Sequence, residues 1–339
     1  MRRLPRNQIL VGDARTVLLT LPADSVDCAV TSPPYFRLRN YQDGRQIGLE
    51  AHVDDYAHEL LGVARSLARV LKPSGSLWLN LGDTFSRSTA EGANEKSLVL
   101  APERVALALT HDGWILRNKA IWAKTNPMPT SVRDRLSTTH EVVYFFVRQR
   151  RYFFDLDAIR TPHLSAGTKP SKTGSAWSVP PEWRGPSTGK HTGLDRLKAS
   201  GAAGHPLGKN PGDVWSLSTA GYRGAHHAVF PERLVERPIL ATCPERVCRR
   251  CGTPWMRERT KVLGRLAVRE ELRAMCDCGA AAQPGLVLDP FMGSGTAATA
   301  ARRLGRDWLG IELNPSFAQL ANRRLAQFDE HPPPLKAVA

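Results

Sequence analysis

LVLDPFMGSGT, residues 286–296, is the stretch of this sequence that decides the fold. An apolar run enters a turn containing Gly293 and Gly295, and a helical pattern follows, which predicts a strand, a tight turn and a helix. The glycines let a ligand approach the backbone, and a helix N-terminus offers free N–H groups. Alone this turn is weak evidence, because many nucleotide-binding folds contain one.

A second strand, in DWLGIELN at residues 307–314, sharpens the prediction. It ends at Glu312, about 20 residues after the turn, where a carboxylate suits the two hydroxyls of a ribose. Asn314 and Pro315 are suited to cap and begin the next helix. Two alternatives stay open: a dinucleotide site, although no G-x-G-x-x-G is present, and a purely structural turn.

The first 150 residues also alternate apolar runs with helical patterns. Strands are expected in residues 7–12, 25–30, 76–82, 121–125 and 141–147, and helices over 56–70 and 101–109. The sequence KPSG at residues 72–75 predicts a turn that ends the first of these helices. Such alternation predicts an α/β fold with a mostly parallel sheet covered on both faces.

TSPPY, residues 31–35, follows an apolar strand and therefore lies at a carboxyl strand end, where α/β active sites form. The two prolines make a rigid, extended turn that lacks N–H donors. Ser32 Oγ and the Pro33 carbonyl could both accept hydrogen bonds from an exocyclic amine, which is a poor nucleophile while its lone pair is delocalised. Tyr35 would stack on a base that has been flipped out of a duplex.

TSPPY and DPFMGSGT together resemble the DNA amino-methyltransferases in the β arrangement, where the catalytic motif precedes the cofactor motif. The resemblance extends through RVLKPSGSLWLNLGD, GWILRNKAIWAKTNPMP, SVRDRLSTTHEVVYFF and HHAVFPERLVERPI, in that order. It implies a Rossmann-like sheet, S-adenosylmethionine as cofactor, direct methyl transfer and catalytic residues Ser32, Pro33, Pro34 and Tyr35. It also implies circular permutation, because the strand that would follow the Glu312 unit is found at the N-terminus and ends at Asp13.

The resemblance assigns the cofactor to a set of residues at these strand ends. They are Asp13, Thr31, Asp289, Pro290, Phe291, Gly293, Ser294, Gly295, Thr296, Glu312 and Asn314. In the family, a serine first in the catalytic motif usually marks cytosine-N4 enzymes, and aspartate or asparagine usually marks adenine-N6 enzymes. Ser32 therefore favours cytosine N4, with adenine N6 as the alternative. Methylation of RNA or of a protein glutamine, and a non-catalytic DNA-binding protein, are further alternatives.

Charge and composition point to a DNA partner. The chain has 47 Lys and Arg against 32 Asp and Glu, a net charge of +15, and Lys and Arg release counterions when they neutralise phosphates. Residues 163–212 are rich in Gly, Ser, Pro and Lys, with seven basic and two acidic residues. The sequence predicts catalytic (1–150), target-recognition (151–212), connecting (213–242), cysteine-rich (243–283) and cofactor (284–328) segments, then a disordered tail (329–339).

Five of the six cysteines fall between Cys243 and Cys278. Cys248-x2-Cys251-Gly and Cys276-x-Cys278-Gly resemble the two halves of a zinc ribbon, which predicts a structural zinc held by four thiolates. The second half is one residue shorter than usual, and unligated cysteines are the alternative. Cys243 could substitute for a ligand or lie free, and Cys28 is expected in the core.

Several other residues carry less weight. His140 and Glu141 could be structural or could line the cleft, and the structural role is favoured. A surface or packing role is favoured for His226 and His227. Asp83 could touch substrate or cap a helix, and Lys124, Asn126 and Pro127 could lie near the cofactor or form a plain turn. No apolar run reaches the roughly 18 residues that a membrane span requires. The sequence therefore predicts a cytoplasmic enzyme of a prokaryote or phage that is a monomer or a homodimer. A cognate restriction endonuclease, acting separately, is a possible partner.

Overall fold

The computed structural model describes residues 4–41, 43–162, 205, 207–220, 230–262 and 265–330. The chain divides into two compact units, one formed by residues 1–155 with 212–336 and the other containing residues 156–211. The predicted target-recognition region falls mostly in residues 163–204, which lie outside the described residues. His226, His227 and residues 331–339 lie outside them as well.

The first unit contains the strands and longer helices that the structure describes. Its strands are β1 (Gln8–Val11), β2 (Val26–Thr31), β3 (Leu71–Leu81), β4 (Ile115–Lys124), β5 (His140–Val147), β6 (Val214–Leu217), β7 (Arg246–Cys248), β8 (Met256–Val262), β9 (Arg265–Arg273), β10 (Ala282–Pro284), β11 (Leu286–Asp289) and β12 (Asp307–Glu312). Its helices are α1 (Ala14–Thr20), α2 (Val53–Val70), α3 (Ala101–His111), α4 (Glu232–Thr242), α5 (Thr296–Arg303) and α6 (Pro315–Glu330).

Eight of the described strands form one sheet in the order β1-β12-β11-β2-β3-β5-β4-β6. Neighbouring strands run parallel except β5, which is antiparallel to both β3 and β4. The prediction of a mostly parallel α/β sheet is therefore confirmed. β1 lies beside β12, although the two strands come from opposite ends of the sequence.

Helices cover both faces of this sheet, and side chains alternate between two cores along each strand. In β5, Val142, Tyr144 and Phe146 enter the core that α1, α2 and α3 cover. The intervening Val143, Phe145 and Val147 enter the core formed with α4, α5 and α6. Because both faces are covered, all six residues of β2 are buried, as expected of a central parallel strand.

The turn predicted at residues 72–75 is wrong. Helix α2 ends at Val70, β3 begins at Leu71, and the KPSG residues lie inside the strand as an irregularity. Leu71 is opposite Val26 and Ser76 is opposite Cys28, so five steps on β3 match two on β2. A Cβ on Gly75 would lie 3.1 Å from the Asp27 carbonyl oxygen, so the close approach of the two strands favours glycine. Proline and glycine here form a β-bulge and not a turn.

Because β1, β12, β11 and β2 run parallel, their carboxyl ends meet at one edge of the sheet. Asp13, Thr31, Asp289 and Glu312 are thus brought to the same edge. In the described part of the second unit, Asp157–Ile159 form a short 3-10 turn, and Arg160 donates to Asp157 Oδ1 at 2.7 Å. Among the helices described, none has the length and apolar character needed to cross a membrane.

Candidate active site

A cavity of about 460 Å³ opens at the edge where β2, β11 and β12 end, a volume typical of small-molecule sites. Most of the predicted site residues line it: Asp13, Ser32, Pro33, Pro34, Tyr35, Pro290, Phe291, Gly293, Ser294, Thr296, Glu312 and Asn314. Three predicted residues, Thr31, Asp289 and Gly295, are buried and do not line the cavity. The structure therefore brings the two sequence motifs to a single cavity.

Glu312 shapes the glycine-rich turn from the neighbouring strand. Its Oε2 accepts the Gly293 N–H at 2.7 Å, and its Oε1 accepts the Asn314 N–H at 2.9 Å. Burial raises the pKa of this carboxyl, and the backbone N–H bonds oppose the rise. Gly295 has φ +81° where it precedes α5, a backbone conformation that favours glycine.

Thr31 and Asp289, 258 positions apart, join the two motifs directly. Thr31 Oγ1 donates to Asp289 Oδ1 at 2.6 Å, and the Phe291 N–H donates to the same oxygen at 3.0 Å. Burial raises the pKa of the Asp289 carboxyl to about 7, and these two hydrogen bonds only partly offset it. Asp289 Oδ2 is buried and has no hydrogen-bond partner among the described residues. An unpaired buried oxygen of this kind is suited to a donor on a ligand.

The TSPPY turn is held from two sides. Tyr56, a buried residue of α2, donates from its hydroxyl to the Pro34 carbonyl at 3.0 Å. On the other side, Tyr35 packs against the backbone of Gly82, where a Cβ would lie 2.7 Å from Tyr35 Cε2. These contacts fix the turn that presents Ser32 to the cavity.

Tyr35, Glu141, Asn80 and Lys124 form a polar network beside Ser32. The Tyr35 hydroxyl donates to Glu141 Oε2 at 2.6 Å and lies 3.1 Å from Ser32 Oγ. Lys124 Nζ pairs with Glu141 Oε1 at 2.7 Å. Burial and the nearby Glu141 raise the pKa of Tyr35, so the phenol stays protonated.

For Glu141 the sequence favours a structural role over lining the cleft, and the structure shows the second, since Glu141 lines the cavity. Asn80 is missed altogether by sequence reasoning because it sits inside an apolar strand pattern. Its Nδ2 lies 2.7 Å from the Tyr35 hydroxyl and 2.9 Å from Glu141 Oε2. The available signal was a polar residue within the buried run SLWLNL, which a partner across the sheet must satisfy.

The loop between β2 and α2 adds cavity residues that no sequence pattern indicates, among them Arg39 and Tyr41. The Tyr41 ring meets the Phe317 ring edge-on at 6.3 Å between centroids. Asp13, which also lines the cavity, caps α1 by accepting the Arg15 N–H at 2.8 Å and pairs with the Arg15 guanidinium at 2.6 Å. These contacts fix its carboxylate.

The remaining candidates divide between packing and the cavity. Asp83 accepts N–H bonds from Leu100 and Ala101 at 3.1 Å each, so it caps α3. Asn126 Oδ1 accepts the Thr219 N–H at 2.7 Å, and Pro127 lines the cavity. Cys28 is fully buried, as predicted.

The four cysteines of the predicted ribbon cluster together. The sulfur atoms of Cys248, Cys251, Cys276 and Cys278 all lie within 4.8 Å of one another, and none is in a disulfide. β7 and β10, next to the two cysteine pairs, are paired antiparallel. Cys243 is buried in the core that α4 covers and is not part of the cluster.

Comparison with known proteins gives a family for this arrangement. Residues 26–323 match the family model of the N6/N4 methyltransferases, described as DNA methylase. The Type II methyltransferase M.SmaI of Serratia marcescens is 31% identical, over 94% of this chain and 90% of that protein. M.SfiI of Streptomyces fimbriatus is 30% identical, over 92% and 89%. The solved structure of the cytosine-N4-specific PvuII DNA methyltransferase superposes with a TM-score of 0.58 at 18% identity, covering 95% of this chain and 86% of that one, which shows a shared fold.

Proposed function

The chain belongs to the DNA methylase family, and from that membership we propose that it transfers a methyl group from S-adenosylmethionine to the N4 amino group of cytosine in double-stranded DNA. The observation that carries the proposal is the Thr31–Asp289 hydrogen bond, because it joins the TSPPY turn to the glycine turn at one cavity. Serine at position 32 favours cytosine over adenine, by the family resemblance. Adenine N6 is the second candidate.

The residues at the glycine turn fit S-adenosylmethionine. Each Glu312 oxygen accepts one backbone N–H and keeps a second lone-pair position for a ribose hydroxyl. The unpaired Asp289 Oδ2 suits a cationic or N–H donor group, and Phe291 offers an apolar surface on the cavity wall. When bound, S-adenosylmethionine supplies an electrophilic methyl group attached to a sulfonium.

Asp13 completes the proposed cofactor site through a permuted chain order. β1 lies beside β12, so Asp13 follows the strand next to the one that ends at Glu312. This position supports circular permutation of the sheet and a contact between Asp13 and the adenine of the cofactor. The rest of the proposed cofactor set is Thr31, Pro290, Gly293, Ser294, Gly295, Thr296 and Asn314.

The chain's part in the reaction is to hold and activate the target amine. Ser32 Oγ and the Pro33 carbonyl accept its two N–H groups, which favours a more pyramidal and more nucleophilic nitrogen. The rigid Pro33-Pro34 turn fixes these acceptors. The residue after the two prolines is Tyr35 and not the cysteine nucleophile that C5 methylation needs, so transfer proceeds directly, without a covalent enzyme intermediate. The cavity side of the Tyr35 ring stacks on the flipped base.

DNA binding is assigned to residues 151–212, and the net charge of +15 favours contact with the phosphates. The relatives named Type II methyltransferases support a place in a restriction–modification system. The proposed boundaries remain 1–150, 213–242 and 284–328 for the methyltransferase domain and 243–283 for the cysteine-rich module.

The cysteine cluster is proposed to hold one structural zinc ion. Tetrahedral Zn–S bonds of about 2.3 Å separate the sulfurs by about 3.8 Å, which is within the 4.8 Å limit that holds for all the sulfur separations in this cluster. Four thiolates leave no open coordination position, so the metal serves the fold rather than the methyl transfer.

The test is mass analysis of nucleosides from unmethylated genomic DNA incubated with the protein and labelled S-adenosylmethionine. We expect label in N4-methylcytosine, and loss of about 100-fold or more of the rate in Ser32→Ala. Ser66→Ala, on the exposed side of α2, is the matched control and should keep the wild-type rate.

Label in N6-methyladenine would retain the family and correct the base. Cofactor binding without methylation of any DNA would favour another substrate, RNA or a protein glutamine. Failure to bind the cofactor at all would favour the non-catalytic DNA-binding alternative. Methylation by Ser32→Ala at the wild-type rate would refute the role of Ser32.

A further inference from the structure

The polar network beside Ser32 includes three side chains to which the proposed methyl transfer gives no role. Three of its members come from different strands: Asn80 from β3, Lys124 from β4 and Glu141 from β5. Asn80 and Glu141 both contact the Tyr35 hydroxyl, and Lys124 pairs with the other oxygen of Glu141. Burying these polar groups costs free energy, because they leave water: Asn80 is 5% exposed and the Glu141 side chain is 14% exposed.

The charge on Glu141 determines which way the hydrogen bonds run. An ionised carboxylate can only accept, and Glu141 Oε1 pairs with the Lys124 ammonium at 2.7 Å. The Tyr35 hydroxyl therefore donates its one hydrogen to Glu141 Oε2, at 2.6 Å. Its own oxygen is left as an acceptor, which Asn80 Nδ2 approaches at 2.7 Å.

Ser32 is the next group in this chain, with its Oγ 3.1 Å from the Tyr35 hydroxyl. Since the Tyr35 proton is committed to Glu141, the Ser32 hydroxyl must donate toward Tyr35. One lone pair of Ser32 Oγ accepts from Asn80 Nδ2 at 3.3 Å, and the other is left for the cavity that Ser32 lines. We propose that Glu141, acting through Tyr35, is a positioning residue that fixes the Ser32 hydroxyl as a hydrogen-bond acceptor toward the substrate.

This role rests on the proposed function of Ser32 and narrows the substrate. A fixed acceptor suits an exocyclic amine, which donates two N–H groups, as in cytosine or adenine. A carbonyl oxygen at the same place, as in thymine or guanine, would meet an acceptor facing an acceptor. The direction of the hydrogen-bond chain therefore selects amino bases before any base-specific contact is made.

Glu141→Gln tests the direction without changing the shape of the side chain. If the amide oxygen of Gln faces Tyr35, its NH₂ group faces the Lys124 ammonium, and two donors oppose each other. If the amide is flipped, its NH₂ group donates to the Tyr35 hydroxyl, and the hydrogen bonds from Tyr35 to Ser32 can run in the opposite direction. We expect kcat to fall about 10- to 100-fold, the worth of a hydrogen bond to a charged group. The dissociation constant for S-adenosylmethionine, by calorimetry, and the unfolding temperature should stay close to wild type.

Tyr35→Phe removes the link, so Glu141 should lose its influence on Ser32. We expect Tyr35→Phe with Glu141→Gln to have the same kcat as Tyr35→Phe alone. The matched control is Glu103→Gln, because Glu103 also accepts from a lysine, Lys119 at 2.6 Å, and a tyrosine hydroxyl, Tyr144 at 3.4 Å, away from the cavity. Its kcat should equal the wild-type value.

A wild-type kcat in Glu141→Gln, or independent multiplication of the two single effects, would overturn the inference. So would an equal loss in Glu103→Gln. Ser32→Ala measured alongside separates this failure from failure of the proposed function: if Ser32→Ala is inactive while Glu141→Gln is fully active, only the role of Glu141 is wrong. If Ser32→Ala is fully active, the proposed function of Ser32 is wrong.

Discussion

Two carboxyl groups at neighbouring strand ends have been given different surroundings. Glu312 has a backbone N–H bond on each oxygen. Asp289 is 1% exposed, has bonds on Oδ1 only, and lacks a positively charged partner among the described residues. Burial without a cation favours the neutral acid, so ionisation of Asp289 destabilises the folded protein.

We predict that Asp289 makes the cofactor-free protein less stable as pH rises. The folded-state pKa is about 7 against an ordinary 3.8, so between these values the folded protein holds a proton that the unfolded chain has lost. The free energy of unfolding should fall across this window, by at most about 1.4 kcal/mol per pH unit, and level off above pH 7. Urea unfolding of wild type and Asp289→Asn from pH 4 to 8 measures it. Parallel curves for the two proteins would contradict the prediction.

At the scale of elements, the cysteine cluster links the chain on both sides of the β8–β9 hairpin and adjoins the β7–β10 pair. We predict about one zinc per chain by mass spectrometry of the purified protein. Cys251→Ser and Cys276→Ser should each lose the metal and lower the unfolding temperature, because metal binding contributes folding free energy. Cys243→Ala, a buried cysteine outside the cluster, should keep the metal. Loss of zinc from Cys243→Ala but not from Cys251→Ser would contradict the assignment.

Elements were predictable where a pattern is local. Apolar alternation and helical spacing give β2, β5, α2 and the β11–α5–β12 unit, and glycines mark the cofactor turn. The KPSG stretch misled because proline and glycine suit both a turn and a bulge, and only the register of β3 against β2 decides between them. Glu141 could be named as a candidate for lining the cleft, but its role could not be decided, because its partner Tyr35 lies 106 positions away and no local pattern encodes that contact.

At the scale of the whole molecule, the net charge of +15 predicts a strongly salt-dependent affinity for DNA. If 6–10 phosphates are neutralised, the affinity should fall by about 10³ to 10⁵ between 50 and 200 mM salt. Fluorescence anisotropy with a labelled duplex measures the slope.

Replacing Lys169, Lys172, Lys190 and Lys198 by Gln should flatten this salt dependence by about 0.9 per lost contact, because these residues lie in the segment assigned to DNA. An unchanged slope would move the DNA contacts elsewhere on the chain.

The pairing of β1 with β12 also has a consequence for synthesis on the ribosome. Asn7 Oδ1 accepts the N–H of Trp308, 301 positions later, and Gln8 pairs with Leu309. At roughly 5–20 residues per second, the first strand waits on the order of 15 to 60 seconds for its neighbour to emerge. During that interval the TSPPY turn exists without the glycine turn, so a nascent chain carries half a site. The two halves of the proposed site therefore come together only after β12 has been synthesised, and a chain that ends earlier lacks the Glu312 half of that site.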